Sequence, residues 1–258
     1  MTIQDAPQSL GTARLVRPDR HHKSDVPPSA RLSTSVAVIW HGENAPLGRL
    51  AEVLDAHELT WNTVHAATRS LFPILRRCEV AGAILIGSAE PTGASRPEST
   101  GAEIDWLRRA HHAGGAILGV GSGAQTLALA LGGGIEVARR PQRGWVHVET
   151  ADPELLAPGP WLAWHDHAIQ IPPRAELLAH TAVGPLAFRA GRHLGVQLHA
   201  EVTPEILGGW VLTHASGGID AQGLLETASR EQSTAAANAD RLFSAFVASV
   251  RFSENRAA

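Results

Sequence analysis

Short apolar runs alternate with stretches of helical spacing over residues 35–131. The runs have the length of buried strands, and the stretches between them repeat apolar residues every three or four positions. This alternation is typical of βαβ units, in which helices cover both faces of a parallel sheet. The predicted strands are Ser35–Trp40, Leu59–Val64, Ala83–Ile86 and Ala116–Val120, and the predicted helices are Leu47–His57, Leu71–Arg77, Glu103–Ala113 and Ala124–Leu131.

The second half of the chain has a different pattern, because its apolar runs follow one another without long helices between them. This arrangement predicts a mixed sheet or an added antiparallel layer. We expect one domain over residues 34–252, a disordered N-terminal extension over 1–33 and a flexible tail over 253–258, because the two ends are polar and aperiodic. The predicted strands are Gly144–Glu149, Trp161–Ile171, Leu186–Arg189 and Leu194–Leu198, and the predicted closing helices are Pro204–Leu212 and Ala235–Val250.

Composition excludes several classes of protein. The formal net charge of −3 gives no electrostatic case for nucleic acid, and no apolar run approaches the roughly 20 residues that a membrane span needs. The single cysteine, Cys78, excludes an internal disulfide and favours a cytoplasmic location. No phosphate-binding loop of the Gly-x-x-x-x-Gly-Lys type is present, so no ATP site is indicated and we expect no cofactor. The expected ligand is a small-molecule substrate.

A glycine-rich turn joins the predicted strand Ala116–Val120 to the helix that follows. It reads Gly119-Val-Gly-Ser-Gly123, which is Gly-x-Nuc-x-Gly with Gly121 in the nucleophile position. In a nucleophile elbow, the sharp strand-to-helix turn strains the central residue and presents its side chain to the site. The N–H groups at the start of the helix favour a developing oxyanion. The pattern therefore predicts an elbow whose nucleophile is missing.

The stretch Ala116-Ile-Leu-Gly-Val-Gly-Ser-Gly-Ala-Gln-Thr-Leu-Ala-Leu-Ala-Leu-Gly-Gly resembles the nucleophile region of class I glutamine amidotransferases. The resemblance is strongest to the glutaminase domain of GMP synthase and its stand-alone relatives. Their pattern is Gly-x-Cys-x-Gly-x-Gln and a helix ending in Leu-Gly-Gly, so every element except the cysteine is present. A second stretch, Leu194-Gly-Val-Gln-Leu-His-Ala-Glu-Val202, resembles the family's Gly-x-Gln-Phe-His-Pro-Glu, with Ala200 in place of the proline.

The resemblance implies an α/β, flavodoxin-like fold with a mostly parallel sheet, helices on both faces and a small antiparallel layer. It implies that His199 is the base, that Glu201 orients it, and that Gly121 is a vacant nucleophile position. Weaker matches place the oxyanion loop at Ile86–Pro91, without the family's doubled glycine, and put Trp164 closest to the cleft. The expected substrate and oxyanion contacts are Gly87, Ser88, Ser122, Gln125, Trp164 and His165.

A glycine at the elbow removes the covalent centre of amide hydrolysis, because no acyl-enzyme can form there. Neither Ser122 nor Cys78 is expected to replace the missing nucleophile. Ser122 follows the elbow position, so its side chain points away from the site, and Cys78 lies before a different strand, Ala83–Ile86. His165 and His167 could bind a divalent metal with a third ligand such as His199. No third ligand stands at a diagnostic spacing, so we expect no metal.

Three functions remain open. The first is an enzyme with a cysteine-independent mechanism (a hydrolase, lyase or transferase, by analogy of specialised metabolism) in which His199 and Glu201 act on a small amino-acid-like or amide substrate. In such an enzyme, the absence of a side chain at Gly121 would leave an open space for that substrate. The second is a non-catalytic binding or regulatory protein, pairing with a synthetase or with a second copy of itself, whose cleft is filled. The third is an engineered Cys-to-Gly variant of an ordinary glutaminase.

Overall fold

The computed structural model describes residues 35–41, 47–66, 81–87, 99–214 and 219–254. The strands are β1 Ser35–Trp40, β2 Thr60–His65, β3 Gly82–Ile86, β4 Ala116–Val120, β5 Gly134–Val146, β6 Glu149–Thr150, β7 Trp161–Gln170, β8 Glu176–Thr181, β9 Gly184–Ala190 and β10 His193–Val196. The helices are α1 Arg49–Ala56, α2 Ser99–His112, α3 Ser122–Ala130, α4 Pro204–His214, α5 Ala221–Arg230 and α6 Gln232–Glu254.

Eight strands form one sheet in the order β2-β1-β3-β4-β10-β9-β8-β6. The first five strands in this order, β2, β1, β3, β4 and β10, are parallel to one another. The last three, β9, β8 and β6, extend the sheet with antiparallel pairings. β5 and β7 form a separate antiparallel pair. The predicted α/β architecture, including the antiparallel layer in the second half, is therefore confirmed.

Helices cover both faces of the parallel part of the sheet. In β1, Val36 and Val38 pack with apolar residues of α1 and α6, whereas Ala37 and Ile39 pack with residues of α2 and α3. This alternation follows from the strand period of two residues, and it explains why the strands read as continuous apolar runs. A third cluster joins β7 to α4 and α5.

The elements of the first half agree with the sequence prediction to within a few residues at each end. The sequence prediction missed β8, α5 and most of β5. In β5, residues 134–143 are largely exposed and polar, so they lack the apolar run of a buried strand. The predicted strand Gly144–Glu149 is the end of β5 and the start of β6. Leu71–Arg77 and the extension over 1–33 lie outside the described residues, and α6 continues to Glu254, beyond the expected domain boundary at 252.

The carboxyl ends of three neighbouring parallel strands define one edge of the sheet. Ile86 is opposite Val120, and Val120 is opposite Val196. The residues that follow these strand ends, Gly87 and Gly121 among them, therefore start side by side at this edge. In open α/β sheets, ligand sites form outside the carboxyl ends of the strands.

Candidate functional site

The turn at Gly121 has the geometry of a nucleophile elbow. Gly121 lies between β4 and α3 with φ 58° and ψ −125°, a conformation that strains any residue with a side chain. Its N–H donates to the carbonyl of Val196 at 2.9 Å, and its own carbonyl accepts from the N–H of Ala124 at 3.1 Å. The predicted strained turn is thus present and tied into the sheet on one side and the helix on the other.

The glycines on both sides of the elbow allow strand and helix to approach closely. A Cβ at Gly119 would lie 2.6 Å from the carbonyl oxygen of Gly123, and a Cβ at Gly123 would run into the carbonyl oxygen of Leu85. Because these neighbours are backbone atoms, they cannot move aside cheaply. These close approaches are the steric reason that glycine stands on both sides of the elbow.

His199 and Glu201 form a buried hydrogen-bonded pair next to the elbow. Both follow the end of β10, and His199 Nδ1 is 2.8 Å from Glu201 Oε1. The two residues are 4% and 1% exposed. If Glu201 is ionised it can only accept, so Nδ1 carries the proton and Nε2 presents a lone pair. This is the orientation a general base needs.

The ring of His199 lies in the space that a side chain at position 121 would need. A Cβ at Gly121 would be 2.5 Å from His199 Cε1 and 3.0 Å from Nε2. The Glu201 hydrogen bond holds the ring, and Trp210 packs edge-on against it with ring centroids 4.8 Å apart. The expectation of an open space at Gly121 is therefore wrong, because the ring of His199 fills it.

Three helices begin around this pair. α3 begins directly after Gly121, α4 begins three residues after Glu201, and the first N–H of α1, that of Arg49, donates to the carbonyl of Glu201 at 3.1 Å. The positive ends of the helix dipoles favour negative charge nearby. The backbone of Glu201 is thus bonded to the start of α1, while its side-chain Oε2 is buried and has no hydrogen-bond partner among the described residues.

Three of the predicted substrate and oxyanion contacts, Gly87, Ser122 and Gln125, lie at or beside the elbow. The N–H of Gly87 donates to the carbonyl of Val120 at 3.1 Å and is therefore engaged within the sheet. Gly87 packs directly on Ser122, whose Oγ faces it. Gln125 lies in the first turn of α3 and is only 2% exposed. Ser88 and Cys78 lie outside the described residues.

His165 lies on β7 close enough to His199 for their charges to interact. Burial lowers the pKa of His165 to about 4, and the charge of His199 lowers it as well. A weaker contact with the backbone of His167 raises the pKa of His165 against these two effects. His167 follows two residues later on the same strand, but the described part of the chain contains no group of three or more His, Cys, Asp or Glu placed to hold a metal ion.

Trp210 contacts the ring of His199, whereas the sequence predicted that Trp164 lies closest to the cleft. Trp164 is buried and packs on Trp210 with ring centroids 5.9 Å apart, and Trp210 in turn packs on the ring of His199. Trp210 is on α4, which the sequence predicted as a helix without indicating which of its faces meets the site. Its Nε1 is buried and has no hydrogen-bond partner.

A second histidine–carboxylate pair lies at the same edge of the sheet. His41 follows β1, and its Nδ1 is 3.0 Å from the carbonyl of Ile86, which accepts, while its Nε2 is 3.0 Å from Glu103 Oε2. Because a carbonyl and an ionised carboxylate both accept, the pair must hold an additional proton, either on His41 or on Glu103. No local sequence pattern pairs His41 with Glu103, because the two residues are 62 positions apart.

Comparison with known proteins supports one family. The chain is 31% identical over 144 residues to the glutamine-hydrolysing GMP synthase of Aeropyrum pernix, covering 51% of this chain and 27% of that protein. It is 38% identical over 103 residues to the glutamine-hydrolysing GMP synthase of Thermomicrobium roseum, covering 37% of this chain and 20% of that protein. The chain thus spans about a quarter or less of the length of these curated relatives. No protein-family model matches it.

Solved structures show the fold. A glutamine amidotransferase from Thermotoga maritima superposes with a TM-score of 0.71 at 22% identity, covering 83% of this chain and 98% of that one. This likeness shows that the chain has the flavodoxin-like fold of the class I glutamine amidotransferases, and its sequence similarity to GMP synthases supports that family. As a separate finding, no helix within the described residues is long and apolar enough to cross a bilayer.

Proposed function

We propose that this chain is a glutamine amidotransferase-like protein that lacks the nucleophile of the family and acts by binding rather than by hydrolysing glutamine. The observation that carries the proposal is the ring of His199 in the space of the missing side chain at Gly121. A thiol at this position would need that space. Without a thiol, the scaffold has no atom to form an acyl-enzyme with a glutamine side chain.

The burial of the site supports this proposal. His199 and Glu201 are almost inaccessible, and Trp210 covers the ring from α4. Gly87 packs on Ser122 and uses its N–H within the sheet, so that N–H is not available to polarise a carbonyl. These features correspond to the filled cleft expected of a non-catalytic member of the family.

A synthetase is the partner that we propose. The matched relatives are named glutamine-hydrolysing GMP synthases, and the matched segment is 20–27% of their length. In those proteins, a segment similar to this chain is therefore joined to much more chain. We propose that this chain meets such a region in a synthetase partner, and the alternative is that it pairs with a second copy of itself.

Ammonia release from glutamine tests the catalytic half of the proposal. We would compare the wild type, Gly121→Cys and Gly121→Cys/His199→Ala in a coupled assay. All three are expected to be inactive: the wild type has no thiol, the new side chain of Gly121→Cys collides with the ring of His199, and the double variant has no imidazole to act as a base. Turnover by Gly121→Cys that disappears on removing His199 would contradict the proposal and point to a glutaminase that has lost only its nucleophile.

Complex formation tests the binding half. Size-exclusion chromatography with light scattering would compare the chain alone with the chain mixed with the GMP synthase of the same organism. We expect a mass equal to the sum of the two proteins, unchanged in His199→Ala because that side chain is buried. Two separate peaks at concentrations of tens of micromolar would reject a synthetase partner, and a doubled mass of the chain alone would indicate self-association instead.

The His199–Glu201 geometry favours a second candidate, a cysteine-independent enzyme. The 2.8 Å bond holds the imidazole with Nε2 towards the elbow, as a general base requires. For this candidate, we would measure turnover of small amides and esters against pH. Activity that vanishes in His199→Ala but persists in Gly121→Cys at a reduced level would favour it over the binding protein.

A further inference from the structure

The carbonyl of Ile86 accepts two hydrogen bonds from one residue, His41. The backbone N–H of His41 donates to it at 3.1 Å, and Nδ1 of the same residue lies 3.0 Å from it. Since His41 directly follows β1 and Ile86 is the last residue of β3, both bonds cross between two neighbouring strands of the sheet. His41 therefore ties the carboxyl ends of β1 and β3 together.

The contacts of this histidine ring need two hydrogens. A carbonyl oxygen only accepts, so Nδ1 must carry the first. Nε2 lies 3.0 Å from Glu103 Oε2, and this contact needs the second, on either the ring or the carboxyl group. In an unfolded chain above pH 7, a histidine and a glutamate together carry only one, because their ordinary pKa values are about 6.5 and 4.3. Folding therefore takes up one proton at this pair.

Burial explains why the pair keeps this proton. Glu103 is 2% exposed, and its second oxygen, Oε1, has no hydrogen-bond partner among the described residues. Loss of the proton would leave a buried negative charge facing a lone pair of the ring, which is costly. The side chain of His41 is 25% exposed, so the proton can exchange with solvent through the ring.

The elements that meet at this edge carry few other ionisable groups. β1, β3 and β4 contain none, and β2 contains only His65. On α2, Asp105 and Arg108 pair with each other at the exposed surface. The remaining ionisable residues of that helix lie in its last turn, and they are Arg109, His111 and His112. Apart from His65, the described strands at this edge therefore carry no group that could titrate in place of the pair.

We propose that His41 and Glu103 form a proton-dependent clamp on the carboxyl ends of β1 and β3. With its additional proton, the clamp holds the carbonyl of Ile86, while the next amide, that of Gly87, donates to β4. When the pH rises and this proton passes to solvent, one of the two ring contacts breaks, because one hydrogen then remains for two acceptors. Since Gly87 packs on Ser122 at the elbow, the clamp makes the edge beside the elbow sensitive to pH.

Urea unfolding of the wild type and of Glu103→Gln between about pH 6 and pH 9 tests the proton count. The amide of a glutamine donates a hydrogen to Nε2 without an additional proton, so this variant keeps the clamp and loses its pH dependence. In the wild type, the folded state binds more protons than the unfolded state. The contribution of the clamp is therefore complete below about pH 6.5 and is lost as the pH rises. Above about pH 7, the unfolding constant of the wild type should rise relative to that of the variant by about tenfold per pH unit, until the folded pair gives up its proton.

Two further variants and a local measurement complete the test. His41→Gln removes the same proton uptake and covers the case in which Glu103→Gln does not fold. His57 supplies a matched control, because its Nε2 is 2.9 Å from the hydroxyl of Ser244, which can donate or accept without an additional proton. His57→Gln should therefore keep the pH dependence of the wild type. In NMR spectra, the amide signal of Gly87 should move over the same pH range in the wild type and stay in place in Glu103→Gln. A ratio of unfolding constants that does not change above pH 7, or a Gly87 signal that does not respond in the wild type, would overturn the proposal.

Discussion

Replacing Gly121 by alanine tests whether His199 occupies the place of the missing side chain. The substitution adds one methyl group at φ 58° and ψ −125°, where the backbone conformation alone costs an L-residue roughly 1–3 kcal/mol. The methyl carbon would lie 2.5 Å from His199 Cε1, and overpacking of a dense interior costs about 1–3 kcal/mol more. We therefore expect Gly121→Ala to lower the free energy of unfolding by about 2–6 kcal/mol.

A double-mutant cycle separates the two contributions. Removing the ring in His199→Ala is destabilising by itself, because it leaves the carboxylate of Glu201 buried without its partner. In the double variant, however, the added methyl group no longer meets the ring. The combined loss should therefore be smaller than the sum of the single losses by about 1–3 kcal/mol.

Gly191 supplies a control for a methyl group added at a positive φ without a steric clash. Its φ is 61°, and a Cβ there would meet no atom within 4 Å. Gly191→Ala should cost only about 1–2 kcal/mol. The free energies would be measured by urea unfolding followed by circular dichroism. Additive losses at 121 and 199 would refute the claim that the ring fills this space.

Two other predictions concern buried ionisable groups. Burial, together with the neighbouring charge of His111, lowers the pKa of His193 to about 4 in the folded state. The neutral form of His193 therefore contributes stability that is complete above pH 6.5 and is lost as the pH falls from 6.5 towards 4, by about 2 kcal/mol at pH 5. Urea unfolding against pH should show this loss in the wild type and a smaller one in His193→Gln, whereas substitution of a surface histidine should leave the profile unchanged. Glu103→Ala should lower the free energy of unfolding by about 2 kcal/mol, since it breaks a charge-assisted bond to His41. The same change at the exposed Asp105 should cost less than about 0.5 kcal/mol, and equal effects would argue against the pair.

Much of the architecture follows from local sequence. The apolar runs of β1, β3 and β4 are buried on both faces, and such runs are recognisable without knowledge of the partners. The elbow was predicted from its own glycine pattern, whereas the His199–Glu201 pair was expected from the resemblance of its segment to the amidotransferase motif. β5 and β8 were missed because their pairing with other strands, and not an apolar run of their own, makes them strands.

The state of the site depended on contacts between distant parts of the chain. His41 and Glu103 are 62 positions apart, and the ring of Trp210 meets His199 from a helix that starts after the motif ends. The sequence identified Gly121 as the residue without a side chain, but it did not indicate what fills the space above it. That outcome depends on how Glu201 and Trp210 hold the ring of His199, and side-chain packing of this kind is set by the tertiary structure because no local pattern encodes it.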